Sequence, residues 1–114
     1  MLAHGAVLCK NGFTTQQVIA ILEDYHTAGL NPEEVHTMDY ATKISTDSGT
    51  VGAADIDLLR RDGLSDAQIT DVALAAAARN FISRFFDALG ADADVELRQK
   101  QPELWEYLKN WKKP

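Results

Sequence analysis

The chain has 114 residues and a net charge of −6, with 46% apolar and 25% charged residues. These values are typical of a globular protein with one hydrophobic core, so we predict a single domain over residues 1–114. The acidic charge argues against nucleic acid as a partner, because phosphate binding requires clustered Lys and Arg.

The location of the protein can also be predicted from its composition. No apolar run approaches the ~20 residues of a membrane span, so we expect no membrane partner. We expect no signal peptide, because the segment from Met1 to Cys9 lacks a basic n-region. A single cysteine cannot form an internal disulfide, which favours a reducing, cytoplasmic setting. The basic residues near the end, among them Lys109 and Lys112, are interpreted as a solvated tail.

The first two predicted elements are short helices. The first covers Leu2–Lys10 and is already apolar at its start. Thr14 and Gln17 have the spacing of a capping box, which predicts that a second helix begins there. That helix is predicted to run to about Ala28, where a glycine follows.

The middle of the chain predicts two further helices. Asn31 and Pro32 are a cap and a first-turn proline, and the helix that they begin is predicted to end near Thr46. After a loop with two glycines, a short helix covers Ala53–Asp62. A last helix is predicted from Pro102. No segment alternates with period two over a useful length, so we predict no strands.

The longest predicted helix lies between Ser65 and Gly90. Ser65 and Gln68 form a capping box, and Gly90 follows where a left-handed residue ends a helix. About 24 residues give a rod of roughly 36 Å. Its second half is apolar around most of its circumference, which predicts that other helices surround it. The sequence therefore predicts an all-α bundle of about six helices around this central helix.

Two residues near the N-terminus are candidates for chemistry. His4 can relay protons near neutral pH, or it can be a terminal histidine without a partner. Cys9 would need exposure and a lowered pKa to act as a nucleophile. Because Cys9 follows Val7 and Leu8, we interpret it as a small buried hydrophobic residue.

The other two histidines do not indicate a metal site. His26 and His36 lie near the two ends of a helix–turn–helix, but a metal needs a third or fourth ligand at a known spacing. The chain has no His-Glu-x-x-His motif and no cysteine pair. His26 is interpreted as a histidine of a helix C-terminal turn, where the helix dipole favours a cation. We predict no metal and no cofactor.

Two further patterns concern packing. Asp39 follows Met38 beside an apolar stripe, and a partly buried acid usually has a charged partner. Arg79 and Arg84 on the long helix are the natural candidates, and the sequence leaves open which of them pairs with Asp39. The aromatic residues of the last helix, Trp105 and Trp111, are typical of a core or an interface.

Three stretches span almost the whole chain: Asn31–Glu34 with Met38–Lys43; Gly63–Ile69 with Asn80–Arg84 and Ala88–Gly90; and Leu104–Leu108. Together they resemble the carboxymuconolactone decarboxylase and alkylhydroperoxidase D superfamily, in its peroxidase-related branch.

The resemblance implies an all-helical, oligomeric antioxidant protein that reduces a peroxide with two thiols. Redox members of the superfamily carry Cys-x-x-Cys-x-x-x-His on one helix, and Met1-Leu2-Ala3-His4-Gly5 looks like the end of that motif. His4 then corresponds to the proton-relay histidine. The second cysteine would lie immediately before Met1, so this chain by itself is expected to show no dithiol-dependent peroxide reduction. The implied partners are a peroxide substrate and a thiol reductant.

Two alternatives remain open at this point. The first is a non-catalytic helical oligomerisation or interaction module that uses the same fold. The second is carboxymuconolactone decarboxylase-type activity. The remnant of the Cys-x-x-Cys-x-x-x-His motif argues against it, because that activity does not depend on a cysteine pair. Apolar helix ends and the tryptophans favour a homo-oligomer in either case.

Overall fold

The computed structural model describes residues 2–90 and 95–110, with the side chains of residues 2–4 and 97 outside the description. Within these residues the chain forms α-helices and short 3₁₀ turns and no strand, which confirms the all-α prediction. The helices are α1 (Leu2–Lys10), α2 (Thr15–Asp24), α3 (Pro32–Asp47), α4 (Ala53–Arg61), α5 (Asp66–Leu89), α6 (Val95–Lys100) and α7 (Pro102–Leu108).

The helix starts and the end of α5 follow the predicted local signals. The hydroxyl of Thr14 accepts the backbone N–H of Gln17 at 3.1 Å, and the Gln17 side chain accepts the N–H of Thr14 at 2.8 Å. Ser65 and Gln68 form the same reciprocal pair at the start of α5. Gly90 has φ 67°, the left-handed conformation that ends a helix without a Cβ penalty.

One helix boundary and one whole helix differ from the prediction. α2 ends at Asp24 rather than near Ala28, because the Asp24 carboxylate accepts the N–H of His26 and begins a 3₁₀ turn over Tyr25–Thr27. The six-residue helix α6 was not predicted, since its short, mostly polar sequence shows no periodicity. Trp111 follows residue 110 and lies outside the described residues.

The chain divides into two compact units, which we describe separately. The first comprises the described residues of Met1–Gly29 and Asp92–Pro114. Its core is formed by Val18 and Leu104, which are almost completely buried where α1, α2 and α7 pack together. Partly buried side chains complete this core: Cys9, Phe13, Ile19, Leu22, Trp105 and Leu108. The single-domain expectation over 1–114 stays a prediction.

The second unit comprises the described residues of Leu30–Ala91. In this unit α3 packs against α4 and α5, and the three buried core residues are Tyr40, Leu59 and Ile69. Each helix contributes one of them. Burial of a leucine as complete as that of Leu59 contributes about 2 kcal/mol, so these contacts fix the first half of α5.

The second half of α5 does not have the predicted surroundings. The side chains of Leu74, Phe81, Phe85 and Leu89 are each more than half exposed. The buried side of α5 is instead its opposite face, where Ile69 packs in the core. The prediction that other helices surround α5 was wrong, because an apolar composition does not specify which residues a neighbouring helix reaches. No helix in the described part of the chain is long and apolar enough to cross a membrane.

Candidate functional site

The first candidate site is the beginning of α1, which carries His4. The backbone of His4 lies in the first turn of α1, whereas its side chain falls outside the described residues. The next residue, Gly5, is buried. A Cβ atom at Gly5 would overlap Leu104 Cδ2 and would lie 3.5 Å from Val18 Cγ1. The backbone of α1 therefore lies directly against the core of its unit at the turn that carries His4.

Cys9 lies on the last turn of the same helix. Its Sγ is 3.9 Å from the Thr15 hydroxyl oxygen, and its side chain is partly buried against the core of Val18 and Leu104. The thiol is free. These surroundings are typical of a small side chain that packs in a core. Among the described residues, no cationic side chain contacts the sulfur to activate it.

His26 and His36 each lie beside a carboxylate of their own. His26 is exposed, with Nδ1 2.9 Å from Asp24 Oδ1 and its ring stacked on Tyr25. The hydrogen bond to His26 holds the pKa of the Asp24 carboxyl below its usual value. His36 Nδ1 lies 2.7 Å from Asp62 Oδ2. In the described part of the chain, no group of three His, Cys, Asp or Glu side chains is arranged to hold a metal.

Asp39 is less buried than the sequence predicts, and its pairing with Arg79 or Arg84 stays a prediction. Asp39 is exposed on α3, and its neighbour Tyr40 is the buried residue. Two ion pairs join α3 to α4 and its C-terminal end, His36–Asp62 and Lys43–Asp55. These pairs were not predicted, because their partners are 26 and 12 residues apart and share no local motif.

Trp105 on α7 lies against its own unit. It packs on the core around Leu104, and the guanidinium carbon of Arg98 lies 4.6 Å from the centre of its ring. A cation at that distance over an indole is a stabilising cation–π contact. The expectation of an interface role at this tryptophan therefore receives no support from its position.

A second candidate site is an open groove of about 600 Å³ between the end of α3 and the second half of α5. Arg84 supplies its one charged group, and Ser48 and Asn80 supply a hydroxyl and an amide. Arg84 forms no ion pair with any described residue. Such a groove can accommodate an apolar ligand that carries a hydrogen-bond acceptor. Its lining residues are Ile44, Ser48, Ala77, Asn80, Phe81, Arg84 and Phe85.

The groove borders the largest exposed apolar surface of α5. We call this surface the α5 stripe, and it consists of Leu74, Ala78, Phe81, Ile82, Phe85 and Leu89. Its spacing of three and four residues places its members on one side of the helix. The rings of Phe81 and Phe85 lie parallel, with an interplanar angle of 4° and centroids 6.5 Å apart.

The sequence contained the signal for this surface. The sequence predicts that the second half of α5 is apolar, but it does not show that this surface is exposed rather than covered by other helices. The groove around Arg84 was missed, since no motif connects Ser48 with Asn80 and Arg84.

Comparisons with known proteins add no relative, because no protein-family model, curated protein or solved structure matches the chain. The superfamily resemblance therefore depends on the sequence stretches themselves.

Proposed function

We propose that this chain belongs to a peroxidase-related, alkylhydroperoxidase-like antioxidant protein in which His4 is the proton relay. The proposal extends to the fold, an alkylhydroperoxidase D-like helical bundle. In a longer protein the cysteine pair would precede Met1 and would share the helix of His4. The supporting evidence is the resemblance of the three stretches and the all-helical fold of the described residues.

The proposed reaction uses two thiols and one histidine. One cysteine thiolate attacks the O–O bond of the peroxide, which releases an alcohol and leaves a sulfenic acid. The second cysteine condenses with the sulfenic acid, forming a disulfide and releasing water. His4 accepts the thiol proton and donates it to the leaving alkoxide. An external thiol reductant then restores the cysteine pair.

The observation that carries the proposal is the burial of Gly5 against Leu104. A proton relay has to stay within hydrogen-bond distance of the groups that it serves. Because Gly5 directly follows His4 and is held by the core, rotation or sliding of α1 at this turn would disrupt the packing around Leu104. The first turn of α1 is thus held more firmly than a frayed terminal turn.

The test compares the 114-residue chain with the product of the same reading frame extended upstream of Met1. We expect the extended protein to consume a dithiol reductant in the presence of an organic peroxide. His4→Gln in the extended protein should lower that rate by about 10²–10⁴-fold, the usual contribution of a general acid–base group. Cys9→Ser is the matched control and should leave the rate unchanged.

The 114-residue chain itself should show no turnover above a heat-killed control. Turnover by this chain would contradict the assignment of the reaction to an upstream cysteine pair. An extended frame without cysteines, or one that is inactive, would contradict the peroxidase function.

The second candidate function is a non-catalytic helical oligomerisation module. The specific observation in its favour is the α5 stripe, which leaves large apolar side chains exposed. Exposed apolar surfaces of this extent are typical of protein–protein interfaces. An extended protein with no peroxide turnover and with a concentration-dependent mass is the result expected for this function.

A further inference from the structure

The α5 stripe is continuous and covers about two thirds of the 24-residue helix. From Leu74 to Leu89 it extends about 23 Å along α5. Phe81 is 73% exposed and Phe85 is 53% exposed. A charged side chain occurs at none of the stripe positions, so water contacts an unbroken apolar surface.

We propose that the α5 stripe binds the same stripe of a second copy of this chain, with the two helices antiparallel. This inference specifies the partner of the second candidate function and depends on that function. Two properties of the stripe favour a second copy over another partner: its area and its sequence of large and small side chains.

The area is sufficient for a dimer. An aromatic side chain offers about 200 Å², so the stripe together with the neighbouring Phe86 presents roughly 600 Å² per chain. Two copies would bury about 1,200 Å², the lower limit of the range for specific interfaces. The largest apolar patch of a typical monomer is about 300–600 Å², so the stripe is at the upper limit for an unpartnered surface.

The side chains of the stripe are complementary to one another when the helices run in opposite directions. If the two-fold axis passes between Phe81 and Ile82, Ala78 of one copy lies opposite Phe85 of the other. Leu74 then lies opposite Leu89 at both ends. The small alanine leaves space for the ring, as interdigitated helix packing requires. A two-fold axis repeats each of these contacts, so one match provides two.

A parallel pair would be less favourable for two reasons. Each residue would then face its own copy, so Phe85 would meet Phe85, and Ala78 would leave a gap opposite Ala78. The two helix dipoles would also point in the same direction, which raises the electrostatic energy. The antiparallel arrangement removes both problems.

The first experiment measures the mass of the chain by sedimentation velocity over a micromolar to submillimolar range. We expect a dimer that dissociates on dilution. Phe81→Asp and Phe85→Asp should each raise the dissociation constant at least about 30-fold, the effect of removing an interface hot spot. Because both rings are exposed, the helical circular dichroism should not change. Val95→Asp, at a position 63% exposed on α6, is the matched control and should leave the dimer intact.

The second experiment tests the orientation by cross-linking single cysteines in a Cys9→Ser background with a short bismaleimide. In the antiparallel pair Ile82→Cys lies beside its own copy and should cross-link. Leu74→Cys lies about 23 Å from its copy and should not. Cross-linking at both positions would show a parallel pair and would overturn the proposed orientation.

A monomer at every concentration, or a dimer that both aspartate variants leave intact, would overturn the proposed interface. Neither result depends on peroxide turnover, which the assay of the extended protein measures separately. Failure of the interface is therefore distinguishable from failure of the peroxidase function. A dimer that both aspartate variants leave intact overturns the interface alone, whereas a monomer at every concentration also overturns the oligomerisation function.

Discussion

At the scale of single residues, Gly5 is a position where an added Cβ atom would meet a buried side chain. Alanine at this position in α1 gains about 1 kcal/mol of helix propensity over glycine, but its Cβ would overlap the side chain of Leu104. Leu104 is completely buried and has little room to move. Because overpacking costs about 1–3 kcal/mol, we expect Gly5→Ala to lower the free energy of unfolding by about 1 kcal/mol net. Urea denaturation measures this change.

The control for Gly5→Ala is Gly49→Ala. Gly49 has no atom within 4 Å of its hypothetical Cβ, and its backbone conformation is accessible to alanine. This substitution should change the free energy of unfolding by less than about 0.5 kcal/mol. If Gly5→Ala proves as stable as the wild type, Leu104 yields to the added methyl group, and the firm placement of α1 is wrong.

At the scale of elements, the contact between α3 and α4 depends on the ion pair of Lys43 and Asp55. Lys43 Nζ donates to both carboxylate oxygens, at 3.1 and 2.9 Å, and Asp55 also accepts the N–H of Gly52 at 2.8 Å. The hydrogen bond from Lys43, followed by that from Gly52, holds the pKa of Asp55 below its reference value of 3.8. One carboxylate thus connects α3 with the start of α4.

The pH dependence of stability follows from that lowered pKa. A carboxyl whose pKa is lowered by folding stabilises the native state fully above its unfolded pKa. The stabilisation is lost as the pH falls through the lower, folded value. We therefore expect the melting temperature of the wild type to exceed that of Asp55→Asn by a constant amount between about pH 5 and 7. This difference should shrink below the reference pKa of 3.8.

The matched control is Asp57→Asn on the same helix, because the 3.4 Å pair of Asp57 with Arg60 is exposed. Exposed pairs contribute little to stability, so this variant should differ less from the wild type at neutral pH. A difference between the wild type and Asp55→Asn that persists unchanged at low pH would contradict the role of the ionised carboxylate.

The helices of this chain were predictable to the extent that their signals are local. The caps at Thr14 and Ser65 and the left-handed Gly90 involve contacts over a few residues, and the structure confirms each of them. The end of α2 was missed, although Asp24 and His26 are also neighbours, since an aspartate in a helix does not reveal whether its side chain caps the next turn.

The candidate sites were less predictable, because they depend on contacts between distant residues. His4 was selected through a resemblance to a motif, whereas the packing of Gly5 against Leu104 joins residues almost a full chain length apart. The pair of His36 with Asp62 likewise has no sequence signature. The apolar residues of the α5 stripe were recognised but their exposure was not, because hydrophobicity favours burial without specifying the element that provides it.

At the scale of the whole molecule, net charge opposes self-association whereas the α5 stripe favours it. Each chain carries a net charge of −6, so two copies repel each other at low salt. Raising sodium chloride from about 0.1 to about 1 M shortens the Debye length from about 10 to about 3 Å and screens this repulsion. Apolar contacts remain at high salt, so the dimer should become several-fold tighter in sedimentation equilibrium.

An association driven by ion pairs would show the opposite dependence, because salt screens attraction as well as repulsion. Phe85→Asp should remain monomeric at both salt concentrations, since screening cannot replace the lost apolar contact. If the dimer of the wild type weakened at high salt, charged residues would have to supply most of its stability, and none lies within the α5 stripe. The salt dependence therefore tests, without any substitution, whether the exposed face of α5 holds the two copies together.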